Sequence, residues 1–167
     1  MYERILVTLD GSELSEAAIP AALRLALGTN ARIEVLTVAE PPKARVRRVD
    51  RARIVPAPGA YGTATQPEFE EIEKEDESRQ RVTTELKRYI DEKAAPLLSS
   101  GLDVTATVQF GDDAAETIAS YAGEHGADAI VMATHGRSGI GKAIFGSVAQ
   151  EVVRSGVAPV VLVKPRT

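Results

Sequence analysis

Ile5-Leu6-Val7-Thr8-Leu9-Asp10-Gly11-Ser12 opens the chain with a short apolar run that ends in an acid, a glycine and a serine. A run apolar on both faces suits a strand covered by helices on each side, the condition of a parallel sheet. The residues that follow it are turn formers. Four further runs have the same character: Ile33 to Val38, Val104 to Val108, Ala129 to Met132 and Val160 to Val163. Thr105 and Thr107 make the third of the five runs more alternating, as an outer strand would be.

Helix-like stretches separate the runs. Ser12 precedes an Ala/Leu-rich stretch that reaches about Leu27, with Gly28 as its stop signal and Pro20 as a kink or a late first turn. A second stretch extends from about Glu68 to Leu98, where Val82, Leu86, Tyr89 and Ile90 recur at helical spacing. A third starts at Asp113, whose spacing to Glu116 makes a capping box, and ends near Gly126. A fourth starts at Ser147 as cap, with Gln150 in the matching position. Parallel neighbours need crossover connections. The alternation therefore predicts an α/β fold: one domain over residues 1–167, an open five-stranded parallel sheet with helices on both faces.

Composition narrows the function. With 167 residues the chain has the length of one domain and enough core to need no staples. It contains no cysteine, which excludes disulfides, thiolate metal sites and a cysteine nucleophile. Twenty basic residues against 24 acidic ones give a net charge of −4, and there is no tryptophan. That balance speaks against a dedicated nucleic-acid binder. The apolar opening is too short for a signal peptide, and no stretch is long enough to span a bilayer, so a cytoplasmic protein is expected.

Residues 41–67 break the rhythm with five prolines, Gly59 and Gly62, and no steady period. They carry Lys43, Arg45, Arg47, Arg48, Arg51 and Arg53, and an acidic run from Glu68 to Glu77 follows. Two solvated segments of compensating charge are expected; a basic arm folding over an anionic ligand or a partner is the alternative.

The strongest chemistry follows the fourth run: Ala133-Thr134-His135-Gly136-Arg137-Ser138-Gly139-Ile140-Gly141-Lys142, then Ala143-Ile144-Phe145-Gly146-Ser147-Val148. A glycine-rich loop leaves a strand and feeds a helix N-terminus, where free N–H groups and a partial positive charge favour phosphate. The same glycines also serve as turn punctuation, and Ser147 as a plain helix cap. Gly136-x-x-x-x-Gly141-Lys142 imitates a Walker A loop, but Ala143 stands where the Mg²⁺-binding hydroxyl belongs. Asp10, at the carboxyl end of a central strand, is placed to accept a hydrogen bond from a base or ribose, or to cap its own turn. His125 and His135 are too far apart in sequence to argue for zinc, and no Ser/His/Asp spacing marks a hydrolase.

The opening Ile5-to-Ser12 segment, the Gly111-Asp112 entry to the third helix and the Ala133-to-Val163 tail together resemble the universal stress protein family, in particular its ATP-binding subgroup. That family's signature is Gly, two residues, Gly, nine residues, Gly, then Ser or Thr. Here Gly136 and Gly146 have nine residues between them and Ser147 follows, while Ala133 replaces the first glycine. The resemblance implies a Rossmann-like fold and a nucleotide-dependent stress-response regulator with at most slow ATP hydrolysis and no dedicated catalytic residue. The alternative is a nucleotide-independent dimeric adaptor acting by protein contacts. The resemblance implies ATP, ADP or AMP as ligand, with Mg²⁺. Asp10 and Val38 would face adenine with Thr8 nearby, and Met132 and Ala133 would lie beside base and ribose. Gly136, Gly146, Ser147 and Val148 would hold phosphates. It also implies a homodimer through the last strand, Pro159 to Val163.

Overall fold

In the computed structural model, residues 2–42, 45–48, 70–73, 75–134 and 146–165 are described. All five apolar runs are strands. They are β1 (Arg4–Thr8), β2 (Arg32–Ala39), β5 (Val104–Phe110), β6 (Ala129–Ala133) and β7 (Val160–Val163), and they form one sheet in the order β5-β2-β1-β6-β7. Every neighbouring pair is parallel, with Val7 beside both Val35 and Val131. β5, the run with alternating threonines, is an edge strand as its pattern implies.

Side-chain alternation divides the core into two layers. Ile5, Val7, Leu9, Ile33, Val35 and Val131 point to one face. There they meet Ala18, Ala22 and Ala26 of α1 (Ala18–Thr29) and Ile90, Ala94 and Leu97 of α2 (Glu75–Ser99). Leu6, Leu36, Ile130 and Met132 point to the other, against Ile118 and Ala122 of α3 (Ala114–Glu124) and Ala149 and Val152 of α4 (Ser147–Ser155). The alanines on α1 let that helix lie close to the sheet, which an all-leucine face would not allow.

Helix boundaries reveal which local signals govern. A 3-10 turn, Ser15–Ala17, precedes α1, and Pro20 occupies the third helical position, where no N–H partner is lost. It is thus a first-turn proline. Gly28 is not the stop: the helix passes through it, and Asn30 takes the left-handed cap at φ 57°. Asp113 caps α3 as expected, its Oδ1 accepting from the N–H groups of Ala115 (2.8 Å) and Glu116 (2.9 Å).

The expected cap at α4 is different. Gly146 is the N-cap residue, with φ −65° and ψ 156°, and as a glycine it supplies no side-chain cap. Ser147 is the first helical residue and is exposed. The Ser147–Gln150 spacing misleads because the Gln150 N–H already closes on the Gly146 carbonyl at 3.0 Å, one position earlier than a Ser147 cap requires.

The stretch around residues 41–73 also departs from expectation. Glu70–Glu73 forms strand β4, and α2 begins only at Glu75, not near Glu68. β4 pairs antiparallel with β3 (Arg45–Arg48) in a separate two-stranded sheet, which brings Arg45 opposite Glu73, Arg47 opposite Glu71 and Arg48 opposite Glu70. The segment is therefore not wholly irregular; the rest of 49–69 lies outside the described residues. By backbone contacts the chain divides into two compact units, Met1–Pro41 with Thr83–Thr167, and Pro42–Val82.

Candidate functional site

In the five-stranded sheet, β1 leads through α1 to β2 on one side, whereas β6 joins β1 on the other side late in the chain. Beyond the carboxyl ends of β1 and β6 the connections diverge and leave a crevice, the usual place for a ligand in an open α/β sheet. A cavity of about 240 Å³ lies there. Eight of the nine residues singled out above line it: Thr8, Asp10, Val38, Met132, Ala133, Gly146, Ser147 and Val148. The ninth, Gly136, lies outside the described residues, as do His135, Arg137 and Lys142.

The walls are mostly apolar. Leu36 and Val38 on β2, Met132 on β6, and Ile118 on α3 give the slot its hydrocarbon sides. Polar groups gather at two ends. On the β1 side, Thr8 is 8% exposed and Asp10 is half-buried at the head of a tight turn. Asp10 Oδ1 accepts from the Ser12 backbone N–H (3.0 Å) and the Ser12 hydroxyl (2.6 Å). The Asp10 N–H donates to Ser15 Oγ at 3.3 Å, and the Ser15 hydroxyl donates to the Ser12 carbonyl at 2.7 Å. Gly11 sits at φ 83° between them, a conformation L side chains rarely adopt. Asp10 thus caps its own turn and lines the cavity as well; the two roles do not compete.

The other polar end is the start of α4. The Gly146 N–H donates to the Thr134 carbonyl at 2.6 Å, so the chain that leaves β6 rejoins it there. Within α4 the N–H groups of Ser147, Val148 and Ala149 precede the first intrahelical bond, which Gln150 makes. They carry the positive end of the helix dipole to the cavity wall. Gly146 has an ordinary negative φ, so positive φ is not what requires glycine here. A Cβ built on it would stand 3.4 Å from the Thr134 carbonyl oxygen, close to ordinary contact.

Sequence reasoning missed seven lining residues, Leu9, Ser15, Leu36, Ala114, Ile118, Thr134 and Ala149. Leu36 was accessible from strand periodicity, lying two residues before Val38 on the same face. Thr134, 5% exposed, follows Ala133 directly. Ile118 comes from a helix on the sheet face, and no local motif announces it.

Two tyrosines near the sheet have raised pKa values. Tyr89 on α2 donates to Glu16 Oε1 at 3.3 Å. Burial pushes its phenol up to about 12, with the Glu16 carboxylate adding to the rise and the nearby Ser15 hydroxyl opposing it. Tyr121 on α3 donates to Glu34 Oε1, stacks on His125 with ring centroids 3.8 Å apart, and is also pushed up to about 12, chiefly by burial and then by Glu34. His125 itself closes α3, its Nδ1 2.9 Å from the Tyr121 carbonyl. Among the described residues no group of three or more acidic or histidine side chains could hold a metal ion. No helix among them is long and apolar enough to cross a membrane.

The universal stress protein family model matches residues 1–164. Universal stress protein YxiE of Bacillus subtilis is 27% identical over 164 residues, covering 98% of this chain and all of YxiE. Among solved structures, the protein MJ0577 superposes with a TM-score of 0.73 at 22% identity, covering 100% of this chain and 99% of that one. A universal stress protein in complex with cAMP gives 0.62 at 20% identity, covering 99% and 98%. The Archaeoglobus fulgidus universal stress protein in complex with dAMP gives 0.60 at 18%, covering 96% and 97%.

Proposed function

This chain belongs to the universal stress protein family, and from that membership and the shape of the cavity we propose that it binds an adenine nucleotide, ATP or its ADP or AMP relatives, as a nucleotide-dependent stress-response regulator. The observation that carries the reading is the meeting of two unlike ends in one slot. An apolar cleft between Val38 and Met132 suits a flat base. The open N-terminus of α4 suits phosphate. Two relatives of the same fold are complexes with adenine mononucleotides.

In this reading Asp10 and Val38 face the base with Thr8 beside them, and Met132 and Ala133 flank base and ribose. Gly146, Ser147 and Val148 take the phosphates through backbone N–H groups and the Ser147 hydroxyl, and Gly136 joins them. Glycine at 146 leaves the space that phosphate oxygens need, since its backbone conformation alone does not demand it. Mg²⁺ would arrive with the phosphates and neutralise their charge. Hydrolysis is slow at most in this reading, since among the described residues Asp10, the carboxylate that lines the cavity, already has Oδ1 engaged by Ser12. The apolar edge strand β7, Val160–Val163, pairs with a second copy in a homodimer. Residues 1–167 act as a single universal stress protein domain with the 41–67 stretch inserted.

Thermal unfolding with and without millimolar Mg-ATP, after stripping co-purified nucleotide, tests this. A ligand at 100 times its Kd stabilises by about 2.7 kcal/mol, and a chain of this size then melts several degrees higher. Absence of a shift would reject the nucleotide reading in favour of a nucleotide-independent dimeric adaptor.

A further inference from the structure

The turn that carries Asp10 into the cavity is braced from outside the cavity. Tyr89 and Lys93 are four residues apart on α2 and therefore share a face. Both converge on one oxygen, Glu16 Oε1: the Tyr89 hydroxyl donates at 3.3 Å and the Lys93 ammonium at 3.1 Å. The ammonium also lies 5.8 Å from the centroid of the Tyr89 ring. Glu16 belongs to the 3-10 turn and directly follows Ser15, which is 4% exposed and lines the cavity. Ser15 Oγ accepts the Asp10 N–H, and the Ser15 N–H in turn donates to Ser12 Oγ at 3.2 Å. Hydrogen bonds thus tie α2 to Glu16, and those of its chain neighbour Ser15 reach Asp10.

Exposed ion pairs contribute little, but the Lys93 and Glu16 side chains retain only 29% and 27% of their exposure. Nor does α1 need this brace to stay on the sheet, since Ala18, Ala22 and Ala26 are already fully buried against it. The brace acts instead on the segment between β1 and α1, the part that shapes the cavity rim. The Tyr89 phenol, raised by burial, remains a donor throughout the neutral range.

We infer that Tyr89, assisted by Lys93, is a positioning residue that fixes the Asp10–Ser15 turn and thereby sets the discrimination of the cavity between adenine and other purine bases. The inference rests on the nucleotide reading above. A carboxylate at Asp10 accepts from the exocyclic amine of adenine and opposes the carbonyl oxygen that hypoxanthine carries in its place. That preference depends on where the carboxylate is held, and Tyr89 is not one of the residues that line the cavity.

The test compares Kd for Mg-ATP and Mg-ITP by titration calorimetry in the wild-type chain, Tyr89→Phe and Glu16→Ala. The wild type should prefer ATP. Either variant should lower the ATP/ITP preference about fivefold, the value of one hydrogen bond of about 1 kcal/mol. Both should stay folded by circular dichroism, because Tyr89→Phe keeps the ring and Glu16 is only part-buried. A purely structural brace would lower the melting temperature yet weaken both nucleotides equally, and that result overturns the inference. So does an unchanged preference in the variants, or a wild type that binds ATP and ITP alike. A wild type that binds neither rejects the nucleotide reading itself, and with it this one.

Discussion

Ser147→Ala separates ligand binding from helix capping, because the two roles make different demands on one hydroxyl. A capping serine would cost about 1 kcal/mol on removal. Gly146 holds the N-cap position, however, and Ser147 is exposed and makes no capping bond. Alanine is also the better helix former, so unliganded stability should change by less than about 0.5 kcal/mol. Asp113→Ala is the matched control, since it deletes an oxygen that accepts two N–H bonds at the start of α3. It should cost about 1 kcal/mol, or about 2–4 °C in a chain of this size.

With nucleotide the order reverses. A hydrogen bond from the Ser147 hydroxyl to a charged phosphate contributes about 1.5 kcal/mol or more, so its loss weakens Kd about tenfold. At a concentration equal to 100 times the wild-type Kd, the ligand's stabilisation falls from about 2.7 to about 1.4 kcal/mol. The Mg-ATP-induced melting shift is thus halved in Ser147→Ala and intact in Asp113→Ala. Scanning calorimetry at fixed nucleotide reads both numbers. A full wild-type shift in Ser147→Ala would refute the phosphate contact. A loss of about 1 kcal/mol without nucleotide would show that the serine caps the helix after all.

Two further outcomes are expected. Gly146→Val should still fold, as its φ of −65° accepts any residue and its Cβ stands 3.4 Å from the Thr134 oxygen, at a cost of about 1 kcal/mol because valine is a poorer N-cap than glycine. Its γ-methyls then enter the space beside the α4 N-terminus, and Mg-ATP should give no melting shift; a normal shift would remove position 146 from the site. Tyr89 and Tyr121 have folded pKa values raised to about 12 from 10, so the folded state holds these protons more tightly than the unfolded chain. Their contribution is complete below pH 10 and is lost as the pH rises towards 12, which predicts falling stability in that window. Tyr121→Phe should flatten the decline, and an unchanged stability-versus-pH curve between 10 and 12 would contradict it.

The sheet was legible in the sequence because each strand announces itself. Val7 lies beside Val35 and Val131, and a residue with apolar neighbours on both sides and both faces leaves a contiguous apolar run. Helix ends were less legible, since a cap depends on one position. Asp113 was read correctly because its side chain does the capping, whereas at α4 a glycine with no side chain holds the N-cap and the serine beside it draws the eye. β4 was hidden for a related reason. Glu70 to Glu73 favours a strand only once Arg45 to Arg48 lies opposite, a pairing across more than twenty residues that no local window contains.

The candidate site shows the same division. Asp10 and Ser147 flank glycines and carry a spacing that can be recognised. Tyr89 reads as a helical core position, and its hydroxyl acquires meaning only when folding brings Glu16 within 3.3 Å. The polar groups that would touch a ligand sit at strand ends and helix starts, where local chemistry marks them. Tyr89 and Lys93, which reach the Asp10 turn through Glu16, lie some seventy residues from Glu16 in sequence, and only the fold brings them together. A substitution scan confined to the glycine-rich signature would therefore test whether nucleotide binds and leave untouched how the cavity selects its base. On the proposed reading, substitutions at Tyr89 and Glu16 test the second question.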